Sequence, residues 1–314
     1  MSRNVALAAA AGLLSALLSL SVLAGVGVGA VLTYVAPLPL MMAGLGLGLT
    51  PTLVGGGLAL AVVALLDGYA AIAFALAVVL PVVVIARQAL LWRRTAVGDI
   101  EWYPPGLVLG WLTAVALALL VAAPLLSPSH DEGLRGLIRD HLDQGLTAME
   151  QMGLLSGEMR QVMVAQWVPL FPAMLAGSWL VMAVANAVAA QSLLVRLKRN
   201  RRPTPVYLAF VPPDWLAGAL AVGVGMALVG DGDFGYVAVN AVVTILVPYL
   251  FLGLAGIHRK LREQANGALL LPLFYAAVFF FSGLAIIVMA GVGLVRHSMT
   301  LQRRLGDRRD QEGE

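Results

Sequence analysis

Residues 5–31, VALAAAAGLLSALLSLSVLAGVGVGAV, contain no charged side chain and decide the class of fold to which the chain belongs. A transmembrane helix needs about 20 consecutive apolar residues, so this stretch is long enough to cross a bilayer. Similar apolar runs recur along the 314 residues, of which 60% are hydrophobic and 12% are charged. Soluble proteins carry about twice that share of charge. The sequence therefore predicts an all-α, polytopic transmembrane helix bundle of about eight to ten spans, including short helices interrupted by Gly and Pro.

The first apolar run follows Arg3 and so has the outline of a secretory signal peptide. The apolar core of a signal peptide is only about 7–15 residues long. The run here is longer, which favours an uncleaved first span. The chain has no cysteine, and this excludes disulfides, thiolate metal sites and a cysteine nucleophile.

The basic residues lie in short clusters between apolar runs, at 87–94, 196–202 and 259–262. This is the positive-inside pattern, in which Lys and Arg mark cytoplasmic loops, and it explains the net charge of +3 without a nucleic-acid partner. The pattern predicts a multi-pass protein of the bacterial cytoplasmic (inner) membrane with a cytoplasmic N-terminus. In this interpretation residues 1–295 form a single transmembrane domain, and residues 296–314 form a basic cytoplasmic tail.

A cytoplasmic tail places a condition on the last apolar run, residues 268–295. A single crossing would carry the tail to the outside, so the run has to turn back near Phe281. Each half of the run is then about 20 Å long, which is shorter than the hydrocarbon core of a bilayer.

A polar segment, residues 128–160, separates the apolar runs in the middle of the chain. It holds six acidic residues and three arginines, and its apolar residues recur at helical spacing. Ser129 and Glu132 have the spacing of a capping box, which marks the start of a helix. The segment is predicted to be an extracytoplasmic amphipathic helix that lies on the membrane surface or packs against the bundle.

No catalytic residue, metal ligand or cofactor site is predicted, and the chain is not expected to be an enzyme. Charged residues are absent from the middle of the predicted spans, which counts against a carrier driven by protons. His130 and His141 would stand about 16 Å apart along a continuous helix and cannot hold one ion together. His258 lies in a basic loop and His297 at the end of a span, so both are predicted to be interfacial.

Five polar residues are the candidate ligand-binding residues: Tyr34, Thr52, Asp67, Asn186 and Asn240. The first three lie in or next to the short apolar segments 40–49 and 51–66, which prolines interrupt. Such pieces often form binding sites in carriers, because their backbone groups lack helical partners. The alternative is a re-entrant hairpin packed through glycines. The two asparagines lie inside apolar runs, where an amide either contacts a ligand or bonds to another helix.

Residues 34–40, YVAPLPL, followed by residues 44–48, GLGLG, resemble the YybS-like family of bacterial polytopic membrane proteins. That family is distantly similar to the substrate-binding S components of energy-coupling-factor (ECF) transporters. The resemblance implies a small-molecule solute bound in the membrane. It also implies a membrane-protein partner docked on small residues of an early helix, here Ala8, Gly12 and Ala16. The alternative for these three residues is packing inside the bundle.

Two functions follow from these observations. The first is an S-component-like protein that binds or transports a small solute. The alternative is a non-transporting membrane scaffold or assembly factor for envelope complexes. In both cases the bilayer is a partner. A cavity with a few convergent polar groups distinguishes the first function from the second.

Overall fold

The computed structural model describes residues 3–21, 26–127 and 130–312. Within these residues, eight helices are long and apolar enough to cross a membrane, and two shorter apolar helices accompany them. The prediction of an all-α polytopic bundle is therefore confirmed. The eight candidate spans are Arg3–Leu20, Val28–Leu47, Leu49–Leu66, Gly68–Ala89, Pro105–Leu126, Gly157–Arg196, Gly232–Arg262 and Gly283–Arg304.

The chain forms two compact units. Unit 1 comprises Met1–Leu112 and Trp179–Val211, and unit 2 comprises Thr113–Ser178 and Pro212–Glu314. The helices α7 (Pro105–Leu126) and α10 (Phe171–Arg196) each contribute residues to both units.

Small residues bring two helices of unit 1 into close contact. A Cβ atom added to Gly12 of α1 (Arg3–Leu20) would lie 2.1 Å from the carbonyl oxygen of Gly55 on α4 (Leu49–Leu66). A Cβ atom added to Gly55 would lie 2.1 Å from the carbonyl oxygen of Ala8. The two backbones approach so closely that glycine is required at both positions.

Two interruptions follow α1 in unit 1. The helix α2 (Val26–Tyr34) ends just before the proline motif, and α3 (Pro37–Leu47) begins on it. Proline is tolerated in a first turn because the amide there has no helical acceptor. The residue Gly48, with a φ of 102°, then separates α3 from α4. Glycine reaches this left-handed region without the steric cost that a side chain would add.

The next part of unit 1 contains a widened turn and a short hairpin. A π-helical turn, Ala75–Val79, joins α5 (Gly68–Phe74) to α6 (Leu80–Ala89). The strands β1 (Trp92–Arg94) and β2 (Ile100–Trp102) then pair antiparallel, with Trp92 opposite Trp102. The sequence pattern does not predict this pair of β-strands.

Unit 2 is built around the long helix α12 (Gly232–Arg262). It packs against α11 (Trp215–Val229), α13 (Gly267–Phe280) and α14 (Ser282–Glu312). Leu216, Ile245 and Tyr249 form a buried cluster at the contact with α11. A Cβ atom added to Gly253 or Gly293 would meet a backbone oxygen of the facing helix at 1.9 Å, so α12 and α14 also pack backbone to backbone.

The last apolar run and the tail form two helices, α13 and α14. The helical pattern is interrupted at Phe281, where the sequence analysis placed a turn. The helix α14 then continues without a break through Arg296, where the basic tail was predicted to begin. The side of the membrane that the tail occupies stays a prediction.

The polar segment predicted as one helix over 128–160 is divided between two helices. The helix α8 (Gly133–Gln151) is followed by a short connection and α9 (Gly157–Trp167), which packs back on α8. Ser156 caps α9, because its Oγ accepts a hydrogen bond from the amide of Met159. Ser129 of the predicted capping box lies outside the described residues. We refer to α8, α9 and their connection as the hairpin.

Candidate functional site

A cavity of about 350 Å³ lies in unit 2, where the hairpin meets the 3₁₀ turn Val168–Leu170. Its volume is within the range of small-molecule sites, about 300–1,000 Å³. Four polar and three apolar side chains line the cavity. The lining residues are Arg135, Arg139, Asp143, Gln161, Val164, Ala165 and Val168.

Helical periodicity brings these side chains together. Arg135, Arg139 and Asp143 are spaced four residues apart, so they lie on one face of α8. Gln161 and Val164 begin a matching row on α9 with spacings of three and four residues. The cavity therefore has a charged wall from α8 and a mainly apolar wall from α9 and the following turn.

Ion pairs fix the charged wall. The guanidinium group of Arg160 on α9 donates to Asp143 and, at 2.8 Å from Nε, to Glu150 on α8. Arg139 pairs with Glu132 at the start of α8. The contacts of Arg160 hold the two helices of the hairpin together and neutralise the carboxylate of Asp143, which lines the cavity, whereas the pair of Arg139 and Glu132 lies within α8 and its N-cap.

Arg135 also lines the cavity and adds a positive charge to its wall. Its side chain is exposed, and no carboxylate of the described residues forms an ion pair with it. A guanidinium group presents a planar set of donors that matches a carboxylate or a phosphate. The cavity therefore offers one free cation, with a second cation at Arg139, to an anionic group.

The rest of unit 2 holds the cavity in place. The amide of Leu134 donates to Asp233 Oδ1 at 2.8 Å, which fixes the first turn of α8 on the start of α12. The hydroxyl of Tyr236 donates to the carbonyl oxygen of Val168 at 2.5 Å. The two contacts anchor both walls to the same helix.

The residue Asn240, predicted as a ligand contact, forms three hydrogen bonds to backbone groups. Its Oδ1 accepts from the amide of Ala173 at 2.9 Å, and its Nδ2 donates to the carbonyl oxygens of Pro169 at 3.1 Å and Tyr236 at 2.9 Å. The amide of Ala173 lies in the first turn of α10, where a helix start leaves N–H groups without partners, and the carbonyl of Pro169 lies in the 3₁₀ turn before it. Asn240 is fully buried and supplies those partners.

Asn186 and Tyr34 are brought together in unit 1. The Nδ2 of Asn186 donates to the carbonyl oxygen of Tyr34 at 2.9 Å and to that of Met182 at 2.8 Å. The Tyr34 carbonyl needs such a donor because α2 ends there, at the proline motif. The contact therefore involves the backbone of Tyr34 and serves the helix interruption.

Thr52 and Asp67 also bond to the backbone near them. Thr52 is fully buried, and its hydroxyl donates to the carbonyl oxygen of Gly48 at 2.7 Å. Asp67 caps α5, because its Oδ1 accepts from the amides of Tyr69 at 2.7 Å and Ala70 at 3.1 Å. A ligand-binding role for either residue stays a prediction.

The three small residues predicted to dock a partner face the inside of unit 1. Ala8, Gly12 and Ala16 are buried, and the first two touch Gly55 of α4. The contact occupies the face that a partner helix would use, while docking itself stays a prediction.

A metal site has no geometric basis among the residues that the structure describes, where no group of three His, Cys, Asp or Glu side chains converges. His130 instead bonds to Asp140, with 3.1 Å between Nε2 and Oδ2. His297 differs from its prediction as an interfacial residue, because its side chain is buried in unit 2 with 1% exposure.

A family model described as "Predicted membrane protein (DUF2232)" matches residues 13–295. The chain belongs to the DUF2232 family. The family description agrees with the candidate spans of the helical fold and assigns no activity. No curated protein and no solved structure matches this DUF2232 chain.

The sequence analysis missed the cavity of the DUF2232 protein, although a signal was present. The spacing of Arg135, Arg139 and Asp143 marks one charged face of a helix. Such a face is also typical of a single amphipathic helix, and nothing in the spacing shows that α9 folds back over it. The basic residue Arg160 is the second signal, since it pairs with acids that precede it on α8.

Proposed function

We propose that this DUF2232 protein binds a small anionic solute at its hairpin, on the extracytoplasmic side of a bacterial cytoplasmic membrane. The observation that carries the proposal is the cavity of about 350 Å³, with Arg135 at its wall and no ion pair between Arg135 and any carboxylate that the structure describes. The net negative charge of the hairpin and the positive-inside pattern support the extracytoplasmic location. The resemblance to the YybS-like family and to S components supports solute binding in general.

The chemistry of the wall restricts the solute. Arg135 and Arg139 favour a carboxylate or phosphate group, because both match the donor geometry of guanidinium. Val164, Ala165 and Val168 favour an apolar portion of the solute. A compact molecule with an anionic group and an apolar side fits both walls.

The test uses the full-length protein, purified gently in detergent and extracted for mass spectrometry of retained small molecules. We expect the wild type to retain a carboxylate or phosphate compound, and Arg135→Gln to lose it. Titration of that compound should give a Kd about 10- to 100-fold weaker for the variant, because a hydrogen bond to a charged group is worth about 1.5–3 kcal/mol.

The matched control is Arg94→Gln, which removes an exposed arginine on β1 in unit 1. It should retain the compound as the wild type does. Equal retention by Arg135→Gln, or no retained compound in the wild type together with no binding in a screen of anionic metabolites, would contradict the proposal.

A second candidate function is the non-transporting scaffold. It is favoured by the hydrogen bonds of the polar residues in the apolar helices, since Thr52, Asn186 and Asn240 bond to backbone groups. A scaffold would retain protein subunits in place of a small molecule. Crosslinking in intact membranes, followed by mass spectrometry of the attached proteins, tests this second function.

A further inference from the structure

Two consecutive arginines, Arg201 and Arg202, lie where several helix ends of unit 1 meet. Nη1 of Arg202 donates to the carbonyl oxygens of Ala89, the last residue of α6, at 2.8 Å and of Tyr103, just before α7, at 3.4 Å. A Cβ atom added to Gly48, between α3 and α4, would collide with Nη1 of Arg201. Both arginines come shortly after the end of α10. One end of each of these five helices therefore lies at the same boundary of unit 1.

The helix ends at this boundary are also ends of candidate membrane spans. The spans concerned are Val28–Leu47, Leu49–Leu66, Gly68–Ala89, Pro105–Leu126 and Gly157–Arg196. Tryptophan is enriched where spans end, at the level of the lipid headgroups. Trp92 and Trp111 are both about half exposed, and Nε1 of Trp111 donates to the hydroxyl of Tyr103 at 3.1 Å. The natural neighbours of this boundary are therefore lipid headgroups.

The boundary is strongly basic. Segments 87–102 and 196–202, which contact each other through Arg202, contain eight Lys or Arg and two acidic residues, a net charge of +6. One of the two acids, Glu101, already pairs with Arg93 at 2.7 Å. The other cations of the two segments form no ion pair with any carboxylate that the structure describes.

Arg202 adds a buried charge to this boundary. Its side chain is 6% exposed, and its guanidinium carbon lies 5.6 Å from the ring centre of Trp102. Its Nε atom has no hydrogen-bond partner among the described residues. Two carbonyl groups and an aromatic ring stabilise the guanidinium group, but none of them carries a full negative charge. A buried cation without a counter-charge is costly, so an anion bound at the adjacent surface would stabilise it.

We propose that this boundary binds the headgroup of an anionic phospholipid from the surrounding bilayer. The exposed residues Arg196 and Arg199, at the end of α10, bind the phosphate, because guanidinium donors match the geometry of its oxygens. The charge of the phosphate also offsets that of the buried Arg202.

A lipid is favoured over a free phosphate because the cations lie at the ends of apolar spans, where acyl chains have helix surface beside them. Clusters of about four to eight Lys or Arg beside a span are typical of anionic-lipid recognition. The site is in unit 1, and it does not depend on the solute proposed for unit 2.

The test uses the full-length protein in an uncharged detergent, titrated with phosphatidylglycerol or with phosphatidylcholine of identical acyl chains and followed by native mass spectrometry. Each basic residue near an anionic headgroup contributes about a fivefold gain in affinity. We therefore expect phosphatidylglycerol to bind at least about fivefold more tightly than phosphatidylcholine. Arg196→Gln/Arg199→Gln should weaken the binding of phosphatidylglycerol about 25-fold and leave that of phosphatidylcholine unchanged.

The matched control is Arg259→Gln/Arg262→Gln, which removes two exposed arginines at the same spacing from the end of α12 in unit 2. It should bind phosphatidylglycerol as the wild type does. Inorganic phosphate should not displace the lipid from the wild type. Equal affinity for the two lipids, an equal loss in both double variants, or displacement by inorganic phosphate would overturn the proposal.

Discussion

The hairpin and the apolar helices use their polar side chains in different ways. In the apolar helices, Asn186 and Asn240 bond to backbone groups that a helix end leaves without partners. In the hairpin, Arg160 of α9 pairs with two acids of α8, Arg139 pairs with Glu132, and Arg135 forms no ion pair with any acid of the described residues. A polar residue inside hydrocarbon needs a protein partner, whereas one on a wet surface has water as an alternative. Free binding capacity is therefore retained on the hairpin, and the amides of the apolar helices are used for structure.

The largest effect is expected where the apolar helices pack without side chains between them. Gly12→Val would place its Cβ against the carbonyl oxygen of Gly55, at 2.1 Å in the present geometry. Backbone atoms cannot move aside as a flexible side chain can, so α1 should separate from α4. Size-exclusion chromatography should show loss of the folded protein. The control Gly57→Val alters a glycine of the facing helix α4 at a position with open space, and it should leave the profile unchanged.

The second-largest effect is expected at the side-chain amide of Asn240, on α12. Asn240→Leu removes three hydrogen bonds and leaves the amide of Ala173 unpaired, at a cost of about 1–3 kcal/mol for such a buried group. The Tm in detergent should fall, while Val239→Leu, at an exposed neighbouring position, should keep it near the wild-type value. A ligand-binding role would instead predict a normal Tm together with lost solute binding.

The ion pairs of the hairpin should matter less to global stability. Arg160→Gln breaks the contacts with Asp143 and Glu150, and water solvates the freed carboxylates. We expect a smaller fall in Tm than for Asn240→Leu, but a clear gain in proteolysis within the 152–156 connection. Val162→Gln, at an exposed position on the same helix, serves as the control. If the Tm of Arg160→Gln fell as much as that of Asn240→Leu, the ion pairs of the hairpin would matter to stability as much as the buried amides of the apolar helices, contrary to this prediction.

The location of the hairpin can be tested with little change in stability. Cysteine introduced at Asp140, an exposed position of α8, should react with an impermeant thiol reagent added outside intact cells. The chain has no cysteine of its own, so the signal belongs to this position alone. Labelling that requires cell lysis would reverse the proposed orientation of the whole chain.

The fold class could be predicted because hydrocarbon imposes a simple rule on sequence. Apolar runs of span length, such as the one at 5–31, can be placed in a bilayer only as helices. The interruption at Pro37 was equally predictable, since proline removes a backbone donor. The β1–β2 hairpin was missed because strands of three residues are too short to show an alternating pattern.

The candidate site was harder to predict, because it depends on where the chain reverses. Gly153, with a φ of 72°, and the capping residue Ser156 mark the reversal between α8 and α9. Within a polar segment, these two residues do not stand out from the surrounding helical spacing. Its neighbours in the sequence place His297 at the end of a span, whereas in the structure the ring is buried and contacts Tyr249 of α12. In both cases the decisive information is a contact between segments that are distant in sequence.

The contact between α1 and α4 has a consequence for the order of events during synthesis. The first helix enters the bilayer before its main small-residue partner in unit 1 has been translated, because α2 and α3 lie between the two helices in the chain. Until then, Ala8 and Gly12 lack the backbone of α4 against which they pack in the folded unit. The arrival of Gly55 converts two separately inserted helices into a packed pair. Ribosome-bound chains that end before Gly55 should therefore contain an inserted first helix that is not yet packed against α4.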